Sequence, residues 1–261
     1  MIAAGRNSSF STLFLVIGAV TLGSAGANVL TGYFDRDIDA VMNRTKLRPI
    51  PSRRIYPAEK ALLYGILLIF LSFVLSYIIS PLILLLMILG IFDNVIIYSK
   101  ILKRRNPVNI ILGGFSGGVP AAIGFFSVAT TGKPWILGLV LGILVVLWIP
   151  THIWSLALRV REDYARAKIP MLPVVVSEKV AVRCIGSTSL LLVAFTLLPQ
   201  VVKSFGIVYL IAAASFGAVM LALNFWLIAK PDKSKAWLVF KFSSPYLAFI
   251  FIAMMVDSLT V

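Results

Sequence analysis

Asn28-Val-Leu-Thr-Gly-Tyr-Phe-Asp35-Arg-Asp37-Ile-Asp39-Ala-Val-Met-Asn-Arg44-Thr-Lys46-Leu-Arg48-Pro-Ile-Pro51 closes a long apolar run and opens a charged loop. The run before it, residues 10–34, is long enough to cross a bilayer. Three of the chain's ten acidic residues fall at Asp35, Asp37 and Asp39, and Arg44, Lys46 and Arg48 follow at once. On a helix, Asp35 and Asp39 sit one turn apart on one face. Asn28 falls on the same stripe, Thr31 lies close to it, and Asp37 points to the other side. Two stacked carboxylates repel unless a cation lies between them. Oxygen ligands with open positions suit Mg²⁺, which also takes substrate phosphates. Arginine forks beside them suit the remaining oxygens of a diphosphate. The competing reading is an acidic helix end facing water.

The same alternation of apolar run and charged loop continues through the chain. Of its 261 residues 60% are hydrophobic, with a mean hydropathy of +0.99. That excludes an ordinary soluble domain. The fold class expected is all-α, a polytopic transmembrane bundle forming one domain over residues 1–261. Eight spans are expected, at 10–34, 58–79, 81–99, 108–128, 134–158, 179–199, 205–229 and 237–257. Short links such as Ser80-Pro81 and Thr131-Gly132-Lys133 make neighbouring helices antiparallel. All but three of the 24 Lys and Arg fall in alternate connections; Arg6, Lys133 and Lys203 are the exceptions. The positive-inside rule puts those connections in the cytoplasm of a cell-membrane protein, with both termini of this sequence outside. The net charge of +14 is therefore read as topology and anionic ligands, not nucleic acid. Met1-Ile-Ala-Ala-Gly-Arg6 reads like the tail of a helix and a loop, so a preceding span is expected to be missing. One cysteine, Cys184, excludes an internal disulfide, and one histidine, His152, excludes a histidine-cluster metal site.

Further polar groups gather at the cytoplasmic ends. Tyr98, Lys103, Arg104, Arg105 and Asn109 form a second basic turn, and Asp93 and Asn94 just before it are read as structural hydrogen-bonding groups. Glycines between Gly113 and Gly124 permit close helix packing or leave room for a bulky ligand. Pro150 precedes His152 in a span, and Arg159, Glu162, Asp163 and Tyr164 follow. His152, Arg159 and Asp163 repeat the spacing of Asn28, Asp35 and Asp39, and each triplet precedes a Pro-containing loop. Two such repeats facing one axis would make one shared site, with Glu162 and Asp163 offering a second pair of oxygens opposite the first. His152, next to Pro150 within a span, reads as a hydrogen-bonded core residue.

Asp35-Arg-Asp-Ile-Asp39…Arg44-Thr…Arg48-Pro resembles the first Asp-rich motif of the UbiA-type intramembrane prenyltransferases. Tyr98…Lys103-Arg104…Asn109, Pro150-Thr-His152-Ile-Trp154 and Asp163-Tyr164…Ile169-Pro170-Met171-Leu172-Pro173 resemble the branch of that family that acts on heme. The resemblance covers roughly residues 15–180 by motif. It implies nine helices, farnesyl diphosphate and heme b as substrates, Mg²⁺ as cofactor, and a place in making heme for terminal oxidases. Other proteins of the heme pathway or of terminal-oxidase assembly are candidate partners. It further implies catalytic roles for Asp35, Asp39, Arg44 and Lys103. Metal contacts would come from Asp35, Asp39, Asp163 and Glu162, and substrate contacts from Asn28, Thr31, Arg48, Tyr98, Arg104, Asn109, His152, Arg159 and Tyr164. With heme as substrate, His152 has a second reading as a contact for that flat ring, flanked by Trp148 and Trp154, its imidazole suiting iron better than Mg²⁺. Two departures stand out: Thr31 where the family usually has Asn, and Arg159 where a second Asp would begin the second motif.

Two other functions fit parts of the pattern. A prenyltransferase for a quinone precursor or lipid alcohol would share the first motif, but Arg159 and the Ile169–Pro173 segment speak against it. A transporter of an anionic solute would use a basic cleft but would not need the Asp35/Asp39 stripe.

Overall fold

The computed structural model describes residues 9–128, 135–201 and 205–260. Among them the chain forms helices and the turns between them, without strands. Eight helices are long and apolar enough to cross a membrane: Phe10–Phe34, Glu59–Ile79, Pro81–Leu102, Asn109–Phe126, Ile136–Arg159, Glu178–Pro199, Ile207–Ala229 and Lys233–Leu259. The protein is a multi-pass membrane protein. Each span falls within a few residues of its expected place. The third runs to Leu102 rather than 99, and the last starts at Lys233 rather than 237. The Thr131–Lys133 link and the cations Arg6, Lys133 and Lys203 lie outside the described residues, as does Met1-Ile-Ala-Ala-Gly-Arg6.

The spans make two groups of four. In the first, α1 (Phe10–Phe34) packs along α3 (Glu59–Ile79), α3 turns into α4 (Pro81–Phe92), and α4 meets α6 (Phe115–Phe126). Ser80 makes the turn between α3 and α4 by accepting from the Ile83 amide at 3.2 Å, with Pro81 at the first helical position where no amide is needed. Small residues let α1 and α3 approach: a Cβ added at Gly26 would lie 2.9 Å from the Gly65 carbonyl oxygen. In the second group α7 (Ile136–Arg159) packs on α10 (Glu178–Val201) and α12 (Lys233–Thr260), and both of these pack on α11 (Ile207–Ala229). The groups join where α6 crosses α7 at Gly118 and Gly142. Without water in the span, interior hydroxyls find each other: Thr151 shares hydrogen bonds with Thr188 and Ser189, both 3.1 Å.

The internal repeat is visible in the backbone. α1 breaks at Asp35 into the six-residue α2 (Arg36–Val41), and α7 breaks at Val160 into the six-residue α8 (Arg161–Arg166). Each is followed by a loop with one residue at positive φ, Arg53 and Lys168, close to prolines. The breaks fall one residue out of the register that the sequence spacing suggests.

Candidate active site

The Asp35/Asp39 stripe survives the break because the Asp39 amide still donates to the Asp35 carbonyl at 2.8 Å. Both carboxylates are buried, 4% and 3% exposed, while Asp37 faces out. Each buried carboxylate has a cation from elsewhere. Lys103 donates to Asp35 Oδ2, and Arg48 donates to Asp39 Oδ2 at 2.8 Å. Ser99 Oγ also lies 3.4 Å from Asp35 Oδ2. Asp35 Oδ1 is buried with no hydrogen-bond partner, so one strong acceptor is left over. Arg48 reaches Asp39 because the loop after α2 is tightly turned: Ser52 and Ile55 amides donate to the Arg48 and Pro49 carbonyls, both 3.0 Å.

Lys103 reaches Asp35 through an unusual helix. After α4, residues Asp93–Leu102 wind as a π-helix, closed by the Lys103 amide donating to the Tyr98 carbonyl at 2.8 Å. Tyr98 is packed from behind by Gly113, where an added Cβ would lie 2.6 Å from Tyr98 Cβ. Asp93 accepts from the Ser116 amide at 2.9 Å, which satisfies the start of α6. That is the structural role expected of it. Asn94 is half-buried, donates to Ser116 Oγ at 3.5 Å and also lines the site.

Around this cluster lies a cavity of about 610 Å³, lined by Asn28, Thr31, Asp35, Asp39, Arg48, Tyr98, Lys103 and Asn94, with Pro49, Ile50, Pro51 and Ile55 over it. Thr31 Oγ1 donates to the Asn28 carbonyl at 3.1 Å, so the side chain available at that level is the Asn28 amide. A second cavity, about 230 Å³, adjoins it at Asn28 and Asn94 and runs deeper between α1, α4 and α6.

Other expected site residues are placed elsewhere. Arg104 donates to both oxygens of Asp37 at 2.7 and 2.8 Å and to the Phe34 carbonyl at 3.0 Å, so it caps α1 on the outside. This hydrogen bond holds the Asp37 carboxyl below the ordinary carboxylate value and lifts Arg104 above its own. Asn109 donates to the Asn106 carbonyl at 2.7 Å, shaping the turn that carries Lys103. Arg44 and Arg159 are exposed and line neither cavity. The second carboxylate pair is split: α8 lies against the loop after α2, with Asp163 turned to that loop and Glu162 facing out. Glu162 is exposed and paired with Lys233, which holds its carboxyl below the ordinary value. Asp163 is buried but accepts from the Arg44 amide at 3.2 Å and faces Arg166 at 3.6 Å. Among the described residues no group of three or more His, Cys, Asp and Glu gathers to hold a metal. Tyr164 is buried beneath the Arg44 and Arg48 side, and burial pushes its hydroxyl above the ordinary value.

His152 is part of a ring stack. Trp148 covers one face and Phe240 the other, both with centroids at 4.3 Å, and Nδ1 lies 2.7 Å from Ser243 Oγ. Trp154 is 3% exposed and packs in the core.

A membrane helix bundle with buried carboxylates and cations around one cavity defines an intramembrane site for an anionic, apolar-tailed ligand. The chain matches the UbiA prenyltransferase family over residues 1–252 and belongs to it. It is 45% identical to the protoheme IX farnesyltransferase of Desulforudis audaxviator, over 98% of this chain and 81% of that protein. Among solved structures it resembles digeranylgeranylglyceryl phosphate synthase, with a TM-score of 0.82 at 23% identity, covering 100% of this chain and 90% of that one. It also resembles a UbiA homolog from Archaeoglobus fulgidus bound to GPP and Mg²⁺, with a TM-score of 0.62 at 15% identity, covering 97% and 93%.

Proposed function

We propose that this chain transfers the farnesyl group of farnesyl diphosphate to a vinyl group of heme b, giving heme O and diphosphate. The observation that carries the prenyl-transfer chemistry is the buried Asp35/Asp39 pair, facing one cavity with Lys103 and Arg48. The choice of heme as acceptor and farnesyl as donor rests on the relatives of that name.

Magnesium fits the residues present. Asp35 Oδ1 is a buried acceptor without a partner, and magnesium sites commonly use one or two carboxylates completed by phosphate and water. Asp35 and Asp39 would hold it, and the ion would supply charge neutralisation for the departing diphosphate. Lys103 and Arg48 bind diphosphate oxygens and stabilise the charge that grows as the carbon–oxygen bond breaks. The Asn28 amide positions the diphosphate at the mouth of the deeper cavity. Tyr98, under Lys103 with its ring centroid 5.8 Å from the ammonium, lines the side of the cavity where the electron-poor carbon forms. The roof of Pro49, Ile50, Pro51 and Ile55 keeps water from that carbon. A new carbon–carbon bond to the vinyl group then forms, and water adds the hydroxyl with release of a proton. The Lys- and Arg-rich loops around the site set it on the cytoplasmic side by the positive-inside rule.

Mass spectrometry of heme after farnesyl diphosphate is added to membranes holding this protein tests the reading. A product heavier by one farnesyl group and one hydroxyl group is expected. Absence of that product, with no diphosphate released, would overturn it.

A further inference from the structure

A basic cavity of about 440 Å³ lies on the outer side of α2 and shares no lining residue with the catalytic cavity. Asp37 and Val41 of α2 line it, with Arg104 and with Arg166, Ala167 and Lys168 at the end of α8. Its charges do not balance. Arg104 is committed to Asp37, whose two oxygens it holds at 2.7 and 2.8 Å. Arg166 lies 3.6 Å from Asp163 Oδ1, too far for a hydrogen bond, and half of its side chain is exposed. The Lys168 ammonium has no partner among the described residues. Lys168 also stands against its own backbone preference, with φ at 56°, where glycine is at ease. The turn is fixed there: the Lys168 amide donates to the Ala165 carbonyl and the Ile169 amide to the Tyr164 carbonyl, both 3.0 Å, and Ile169 is buried. Glycine would close such a helix end without strain, so what lysine adds is its charge. We propose that this cavity binds the phosphate of an anionic phospholipid headgroup, with Arg166 and Lys168 as its cations.

The place suits a lipid. The walls come from just past the ends of three spans, at Phe34, Leu102 and Arg159, the level at which a bilayer carries its headgroups. The volume equals roughly fifteen waters, more than a bare phosphate fills. Val41, which is exposed, and Ala167 give an apolar wall for the glycerol backbone and first methylenes. Two cations without a counter-ion repel each other, and a phosphodiester between them removes that repulsion. The other repeat supplies the comparison. Arg53 is the other non-glycine residue at positive φ among the described residues, at 59°, and it too lines a cavity beside α2, of about 430 Å³. There Arg36 and Arg53 stand with Asp37 and Glu59, two charges of each sign. Both loops hold a cation in the same backbone state, but the positive surplus is at Lys168.

Headgroup binding is independent of the prenyl-transfer reading, and its test reads no turnover, so the two stand or fall separately. The purified full chain in neutral detergent is titrated with phosphatidylglycerol or, with the same tails, phosphatidylcholine, and native mass spectrometry counts the bound lipid. The unaltered protein is expected to bind phosphatidylglycerol at least about tenfold tighter than phosphatidylcholine, and less tightly as ammonium acetate is raised. Lys168→Gly should weaken phosphatidylglycerol binding about fivefold, the contribution of one cation near a lipid phosphate, and Arg166→Gln/Lys168→Gly about 30-fold. Arg53→Gly removes the same charge from the same backbone state and should change the affinity less than about twofold. Both glycine variants should unfold in lipid-free detergent at a temperature no lower than the unaltered protein, since glycine relieves the left-handed turn. Equal weakening in Lys168→Gly and Arg53→Gly would overturn the site and reduce lipid binding to net charge. Displacement of the lipid by millimolar phosphate or diphosphate at constant ionic strength would also overturn it, giving the cavity to the free anion. Should the double variant not fold, Lys168→Gly decides alone, and an unchanged affinity for phosphatidylglycerol removes the site.

Discussion

Asn94 and Lys103, nine residues apart on one helix, line the same cavity. In an α-helix nine residues turn through about two and a half turns, which puts the two side chains on opposite faces. The π winding of Asp93–Leu102, with about 4.4 residues per turn, brings them within a small angle of each other and places Tyr98 between them. The lysine that meets Asp35 is therefore delivered by a helix distortion, and Gly113 against Tyr98 helps hold that distortion in place.

The Lys103–Asp35 pair is buried enough that removing one partner leaves a stranded charge. Lys103→Met is expected to lower unfolding stability in detergent by up to about 3 kcal/mol. The Asp35→Asn/Lys103→Met double variant should recover most of that loss. Both variants should lose transfer by at least about a hundredfold, because the diphosphate loses a charge partner. A double variant no more stable than Lys103→Met would show that the pair is not coupled as the structure has it.

Asp37 and Arg104 offer the opposite case. Their bidentate pair lies on the outside, 62% and 40% exposed, and such pairs contribute no more than about 1 kcal/mol. Asp37 has a folded value below its ordinary 3.8, so its contribution is present above that pH and disappears as pH falls through the lower folded value. Asp37→Asn should therefore cost a small amount of stability at pH 7, and the gap to the unaltered protein should close in strong acid. Transfer at neutral pH should be nearly unaffected, unlike in Asp35→Asn. Equal loss of transfer in the two variants would move Asp37 into the site.

The span pattern was legible because apolar runs and loop cations answer to bilayer thickness and charge, which are local properties. The Asp35/Asp39 stripe was legible because helical spacing alone puts the two carboxylates on one face. Asn94 was not read as a cavity residue, since α-helical spacing turns it away from Lys103, and nothing in Asp93–Leu102 announces a π-helix. Arg104 is expected at the site from the family resemblance, and Glu162 from its place beside Asp163. Where each points is decided by partners far along the chain, Asp37 and Lys233, which no local pattern reveals. The same holds for His152, whose ring neighbour Phe240 lies on another span.

His152 is expected to act through packing. With Trp148 and Phe240 on its two faces and Ser243 on Nδ1, its removal opens a gap between α7 and α12. His152→Ala should lower stability by about 1–3 kcal/mol. The Soret band of added heme should stay as in the unaltered protein. A displaced Soret band with unchanged stability would make the imidazole an iron ligand.

Gly118 and Gly117 separate two kinds of close contact at the junction between the halves. A Cβ at Gly118 would lie 2.4 Å from the Gly142 carbonyl oxygen and 2.9 Å from Val146 Cγ2. The first of these is backbone, so α6 and α7 must part to admit even a methyl group. A Cβ at Gly117 would also lie 2.4 Å from its nearest neighbour, but that neighbour is Ile149 Cδ1, the free end of a side chain that can swing aside. Helix pairs in lipid are held by close packing, without the hydrophobic drive that water supplies, so a forced separation is not repaired by the solvent. Gly118→Ala is expected to cost about 1–3 kcal/mol of unfolding stability. Gly117→Ala should cost well under half of that, although its distance is the same. Thermal unfolding of the two single variants in one detergent makes the comparison. Equal losses would mean that the Gly118–Gly142 crossing is not the tight backbone contact on which the two halves meet.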